Sequence, residues 1–444
     1  MALTGRTAAE IAASVERDLQ HGALEPGAAL PPVRALAAEL GVNPNTVGAA
    51  YRLLRDRGIV ETQGRAGTRV RARPAATDRN AVGPAAPPGA HNLAKGEPDP
   101  ALLPDPAFPD PRTWRVLYGH TALYEPLGDA ARALFAADGV PADHLVATSG
   151  ALDGIERALT AHLRPGDSVV VEDPGWANFL DLLAALNLTA VPVPVDDDGP
   201  DPDAVAAALA AGAHAFVVTA RAQNPTGAAV SAPRAAALRR VLAAHPDVLV
   251  VEDDHGNAIA GPPLATLADT TRHWLYVRSS AKGYGPDLRC AVASGDATTV
   301  GRIAGRQRLG PGWISHALQH AVAAAWASDT VAAQVDHARR TYAERRALLL
   351  DALAARGIPA HGRSGINVWV PVRDEIGAVA GLLARGWVVA PGTRYRIASG
   401  PAIRVTIATL TPAEAEAAAD AIAEVAGTGP RVGAGLGEQA YTSV

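Results

Sequence analysis

Lysine is almost absent from this chain of 444 residues: of 40 basic side chains only two, Lys95 and Lys282, are lysines. A given position therefore holds a lysine about once in 200, which makes the surroundings of both informative. Cysteine is scarcer still. Cys290 stands alone, which excludes an intramolecular disulfide framework and any zinc site built on two or more thiolates, and no metal is expected. No uncharged apolar run reaches about eighteen residues, so no membrane-spanning helix is expected. The opening stretch MALTGRTAAEIAASVERDLQ carries charges where a secretory signal needs an apolar run, and the expected location is the cytoplasm. Neither GxGxxG nor GxxxxGK[ST] occurs, so a nucleotide-binding reading lacks its signature.

What is present describes a folded protein of two or three domains. Hydrophobic residues make up 48%, charged residues 19%, and the net charge is -5. Residues 1–73 differ, with ten arginines against seven acids, a net of +3. A stretch rich in Pro, Ala and Gly follows and reads as a linker over 74–91. From 92 to 426 short apolar runs alternate with Ala/Leu/Arg helical stretches, and 427–444 reads as a flexible tail.

Three helices are expected in the first segment. The first runs from Thr7 to about His21 and the second from Val33 to Leu40, stopped by Gly41. The third has Asn43 as N-cap and Pro44 at its first position, and ends near Arg57 before Gly58. IVETQGRAGTRVRA then reads as a hairpin. Helix, helix, turn, helix and hairpin make a winged helix-turn-helix. LPPVRALAAELGVNPNTVGAAYRLLRDRGIVETQGRAGTRV resembles the DNA-binding domain of GntR-type regulators. That resemblance places the third helix in the major groove of double-stranded DNA. Asn43, Asn45 and Thr46 are expected at base edges, and Arg34, Arg52, Arg65 and Arg69 on phosphates or groove edges.

In the longer segment the runs HLVATSGALDG, SVVVEDPGWAN, AFVVTARAQNPTG, VLVVEDDHGN and WLYVRSSAKGYG all end in small or polar clusters. Each suits a buried parallel strand, and ligands in such sheets sit beyond the carboxyl ends of the strands. Lys282 lies just after one of them. A lysine opposite an acid, Asp253 or Asp254, suits a Schiff base with an aldehyde whose ring carries a pyridinium nitrogen. TSG before a helix suits a phosphate, and Trp176 offers a flat face for a ring. Together these features describe pyridoxal 5'-phosphate.

This segment resembles the fold type I aminotransferases, an α/β fold with a large, mostly parallel sheet and a small domain. The resemblance implies Lys282 as the Schiff-base lysine and Asp253 at the pyridine nitrogen. It also implies Asn224 of NPTG near the ring hydroxyl, with Ser279, Arg289 and the Gly150–Ala151 turn on the phosphate. Arg404 of IRVTIA would receive the carboxylate of an amino-acid ligand.

A GntR-type winged helix joined to such a domain resembles the MocR family. The family implies a pyridoxal-phosphate-dependent transcription regulator that forms a head-to-tail homodimer and senses an amino acid, an amine or pyridoxal phosphate by aldimine exchange. The alternative is a working aminotransferase that carries a DNA-binding domain. Two positions depart from the family. His255 stands where Tyr would bond the ring hydroxyl, and histidine as a residue type changes charge near neutral pH. Asn178 stands where some members have Arg, which argues for a monocarboxylate effector, or pyridoxal phosphate itself, over a dicarboxylate.

Overall fold

The computed structural model describes residues 3–20, 23–25, 27–56, 59–62, 67–70, 85–105, 107, 108, 110, 112 and 116–426. Arg65, the expected linker as far as residue 84, and the expected tail lie outside the described residues.

The N-terminal unit consists of α1 (Ala8–Gln20), α2 (Val33–Leu40), α3 (Pro44–Asp56), β1 (Val60–Thr62) and β2 (Thr68–Val70), with β1 and β2 antiparallel. Local chemistry sets the turn between α2 and α3. Gly41 takes φ +64, and its N–H closes onto the carbonyls of Ala37 and Ala38. Asn43 Oδ1 then accepts the Asn45 N–H at 2.9 Å, and Pro44 opens α3. Val47, Ala50, Tyr51 and Leu54 recur at helical spacing and are buried, joining Ile11, Val15, Leu36 and Val70 in one core. The opposite face of α3 exposes Asn45, Arg52 and Arg55.

The second unit begins with β3 (His91–Asn92), α4 (Glu125–Ala137), β4 (Leu145–Thr148), α5 (Ala151–His162), β5 (Ser168–Asp173) and α6 (Ala177–Ala185). There follow β6 (Thr189–Asp196), β7 (Gly199–Pro200), α7 (Pro202–Ala210), β8 (Ala215–Thr219), α8 (Ala232–Ala243), β9 (Leu249–Asp254), β10 (His273–Ser279), α9 (Ala281–Tyr284) and β11 (Ala291–Gly295). Strands β4 to β11, without β3, form one sheet in the order β4-β11-β10-β9-β8-β5-β6-β7. The five apolar runs read from the sequence are all strands of this sheet and run parallel, whereas β11 is inserted antiparallel between β4 and β10. Alternate residues enter two cores, one on each face. Val169, Val171, Ala215, Val217, Leu249, Val251, Leu275 and Val277 share one face; Val170, Phe216, Val218, Val250, Trp274 and Tyr276 share the other. A strand lined on both sides in this way reads as a continuous hydrophobic run.

The chain continues through α10 (Ala297–Arg308), α11 (His316–Trp326) and α12 (Asp329–Ala355) into β12 (Asn367–Pro371), α13 (Glu375–Ala384), β13 (Trp387–Val388), β14 (Ala390–Pro391), β15 (Ala402–Thr406) and α14 (Pro412–Ala426). Strands β12, β15 and β14 make a small antiparallel sheet, packed with α12, α13 and α14 around Leu349, Val368, Ile403 and Ile422. His91, placed at the end of the expected linker, is already structured. It pairs with Trp387 in a two-stranded sheet and stacks on its ring at 4.5 Å, so the small domain begins at or before it.

Large and small domains meet at the NPTG loop. Gly227 takes φ +73, and a Cβ there would lie 2.8 Å from the Ser364 carbonyl and 3.0 Å from that of Asn367. Both obstacles are backbone. Gly227→Ala is therefore expected to lower unfolding stability by about 2 kcal/mol or more. A urea midpoint unchanged at constant slope would contradict this packing.

Candidate functional site

The carboxyl ends of β4, β5, β8, β9 and β10 supply the site, and the alternation along each strand decides which side chains face it. Asp253 continues the face of Leu249 and Val251, toward Ile155, Trp176, Val217 and Thr219. Asp254 points to the opposite face, where Arg221 grips it through two nitrogens at 3.0 and 2.7 Å and the Tyr276 hydroxyl donates to it at 2.5 Å. Of the two acids open from the sequence, Asp253 is the one at the site. It is buried, with 2% of its surface exposed.

His255 has a partner that the sequence did not suggest. Its backbone N–H donates to Asp253 Oδ1 at 3.0 Å and its Nδ1 bonds Oδ2 at 2.8 Å, while the ring stacks on Trp176 with centroids 5.8 Å apart. An aspartate two residues upstream in a turn is a ready local acceptor. Asp253 therefore takes up the Nδ1 side of the imidazole.

Lys282, near the start of the short helix after β10, is half-buried. Its Nζ donates to the Gly96 carbonyl at 2.6 Å. Burial, reinforced by the Arg404 guanidinium and opposed by Glu97, pushes its pKa down to about 8. Arg404 is also buried. It donates to Asn224 Oδ1 at 3.1 Å and to the Ala94 carbonyl, and its guanidinium lies 4.9 Å from the centre of the Tyr395 ring. The segment 94–96 thus bridges the amine and the guanidinium. Gly96, at φ +67, permits this approach, because a Cβ would come within 2.9 Å of Arg404 Nη1. Lys95, the other lysine, is exposed and 3.9 Å from Glu97.

The expected phosphate residues come together through register. Ser279 pairs with Ala291 and Ala291 with Thr148, so the antiparallel β11 brings Arg289, two residues before it, to the carboxyl ends of β4 and β10. Arg289 Nη2 donates to the Ser149 carbonyl at 2.7 Å, and Gly150, at φ +94, leads into α5 at Ala151. Asn178 lies in the first turn of α6, directly after Trp176.

Glu172 was not anticipated. It lines a small cavity with Trp176, Thr219 and Asp253, and its Oε1 has no hydrogen-bond partner. Burial, against hydrogen bonds from Thr219 and Gln223 and aided by the Asp253 charge, raises its pKa to about 7. Such a carboxyl favours the fold most below its ordinary value of 4.5, and that contribution is lost as pH rises through about 7. In Glu172→Gln the urea midpoint should therefore gain on the wild type between these two pH values. Parallel pH profiles would refute the assignment. The available sequence signal was an acid directly following the apolar run 169–171 inside a buried strand.

On the N-terminal unit Arg34, Asn45 and Arg52 are each exposed and Thr46 is half-buried. Asn43 is exposed, but its Oδ1 is used in the cap, leaving only its amide nitrogen to face DNA. Arg69, expected on phosphate or a groove edge, donates to the Gly27 carbonyl at 3.0 Å and thereby ties the wing to the loop before α2. No helix among the described residues is long and apolar enough to cross a membrane, and none of their side chains cluster as a metal site.

Residues 7–70 match the gntR family of bacterial regulatory proteins, and residues 113–422 match aminotransferase class I and II. The chain is 39% identical over 418 residues to the vitamin B6 salvage pathway transcriptional repressor PtsJ of Salmonella typhimurium, covering 93% of this chain and 96% of that one. It is 27% identical to the pyridoxine biosynthesis transcriptional regulator PdxR of Corynebacterium glutamicum, over 78% of each. A solved aspartate aminotransferase mutant of Thermus thermophilus superposes with a TM-score of 0.66 at 25% identity, covering 77% of this chain and 97% of the enzyme. With a gntR-type winged helix preceding an aminotransferase-like domain, the chain belongs to the MocR-type family of transcriptional regulators.

Proposed function

We propose that this regulator binds pyridoxal 5'-phosphate at the strand ends and couples that site, and the amines or amino acids reaching it, to operator binding. One observation carries the reading: the only lysine at the strand ends has a depressed pKa and shares its site with a buried acid, Asp253. The donor set fits the cofactor. Asp253 offers a buried carboxylate for a pyridinium nitrogen, and Trp176 a flat face. Gly150, Ala151, Ser279 and Arg289 offer a helix start, a hydroxyl and a guanidinium for a phosphate. The cofactor supplies an aldehyde that captures amines and a ring that withdraws electrons. The protein's part is to make Lys282 easier to deprotonate than a solvated lysine, to hold Asp253 through His255, and to receive a carboxylate at Arg404. Asn224, bonded to Arg404, sets the angle of that guanidinium beside the position expected for the ring hydroxyl.

A second reading, an active aminotransferase, is favoured by the retained lysine and by the fold. Transamination requires a base to move a proton at the substrate α-carbon, and the Lys282 amine would be that base. The test is operator binding with and without pyridoxal phosphate and candidate amines, beside keto-acid release. A regulator shows ligand-dependent operator affinity without sustained turnover, whereas release at about 1 per second or faster would favour the enzyme. A cytoplasmic homodimer, head to tail, fits the need to read two half-sites. Sedimentation at the mass of one chain on and off DNA would oppose it.

A further inference from the structure

Beside Arg404 lies a second buried cation. Strand β14 pairs Ala390 with Arg404 and Pro391 with Ile403, and the tight turn Gly392–Arg394 follows at once. Arg394 is 9% exposed, Tyr395 1% and Arg404 3%. Arg394 makes no hydrogen bond or ion pair among the described residues, and its Nε, the Tyr395 hydroxyl and Arg404 Nε are all buried without partners. The neighbouring acids are occupied elsewhere. Glu375 accepts from Thr393 and Arg396, and Asp173 accepts from the backbone of Ile397, Ala398 and Ser399. The Gly175 N–H donates to the Tyr395 carbonyl at 2.7 Å, and Tyr395 shares a core cluster with Ala177, so this turn borders the segment that carries Trp176. Burial lowers the pKa of Arg404, against an opposing contribution from Tyr395, and the nearby Arg394 charge adds to the lowering. A buried guanidinium without a counter-charge is unfavourable, and an anion with matching acceptors removes the penalty.

We propose that Arg394 and the Tyr395 hydroxyl bind a second anionic group on the effector, beside the carboxylate received by Arg404. This rests on the reading of an amino-acid effector and narrows it to a dianionic one, carrying a side-chain carboxylate or phosphate. Asn178 removes a cation from one side of the site; Arg394 supplies one from the small domain.

The test uses the full-length protein and calorimetry with glutarate, 3-phosphonopropionate and valerate. None has an amine, so binding is read without any reaction at Lys282. Wild type is expected to bind the dianions about tenfold tighter than valerate, the size of one charge-assisted hydrogen bond. Arg394→Met should reduce that preference to within about twofold, and Tyr395→Phe should remove part of it. The tighter of the two dianions identifies the second group as carboxylate or phosphate. Equal affinities in wild type, or an undiminished preference in Arg394→Met, would overturn the subsite. So would a variant that sediments differently with its ligand preference intact, because Arg394 would then serve a contact between copies. Pyridoxal phosphate uptake is measured separately by its visible band; failure there removes the cofactor reading and leaves the anion result to stand or fall alone.

Discussion

Lys282→Ala is expected to abolish covalent capture of pyridoxal phosphate completely. Wild type should acquire a visible or near-ultraviolet band on mixing, and borohydride should fix the cofactor to the single peptide that holds Lys282. The rate should also carry the signature of the depressed pKa. Only the neutral amine attacks an aldehyde, so at fixed cofactor concentration capture should rise about tenfold per pH unit below 8 and level off above it. An unperturbed lysine would keep rising to about pH 10. Stability carries the same sign. The folded lysine loses its proton near pH 8 and the unfolded one near 10.5, so apoprotein stability should rise with pH between these values. Label on Lys95, or no label, would end the assignment, and a rate still climbing beyond pH 9 would refute the burial argument.

Operator affinity should fall about a thousandfold or more between 50 and 200 mM salt if a dimer meets about six or more phosphates. The exposed Arg34 on α2 and Arg52 on α3 carry this expectation. Arg52→Ala should weaken binding to all sequences similarly and lower the salt slope by about 1 for each site occupied. Asn45→Ala should relax preference at one base pair, at about 1–3 kcal/mol. Arg69→Ala differs in kind, because its bond to the Gly27 carbonyl makes it a tie within the wing. Its loss should appear in thermal stability before it appears in the salt slope. Salt-independent binding by the purified protein would contradict the electrostatic picture.

Much of this molecule is determined by short-range chemistry and so was readable in the sequence. Gly41, Asn43 and Pro44 act on the backbone within a few residues, and the helix boundaries fall within about two residues of those expected. Wholly apolar runs of strand length have few alternatives to a covered sheet, and the polar clusters that end them lie at the carboxyl ends of its parallel strands.

Contacts between distant segments were decided by the tertiary structure alone. Asp253 and Asp254 are adjacent acids of equal composition; pairing of β9 with β8 and β10 turned one to the site and the other to Arg221. Antiparallel insertion of β11 brought Arg289 to Ser149, 140 residues away. The approach of Gly96 to Lys282 spans 186 residues, and no local signal encodes it. His255 bonds Asp253 two residues upstream, a contact that the resemblance had not suggested. Arg394 drew no attention in the sequence; packing buried it, with no counter-charge among the described residues. A side chain's charge is written in the sequence, but its solvation and neighbours are set only when the chain closes around it, and those determine its chemistry.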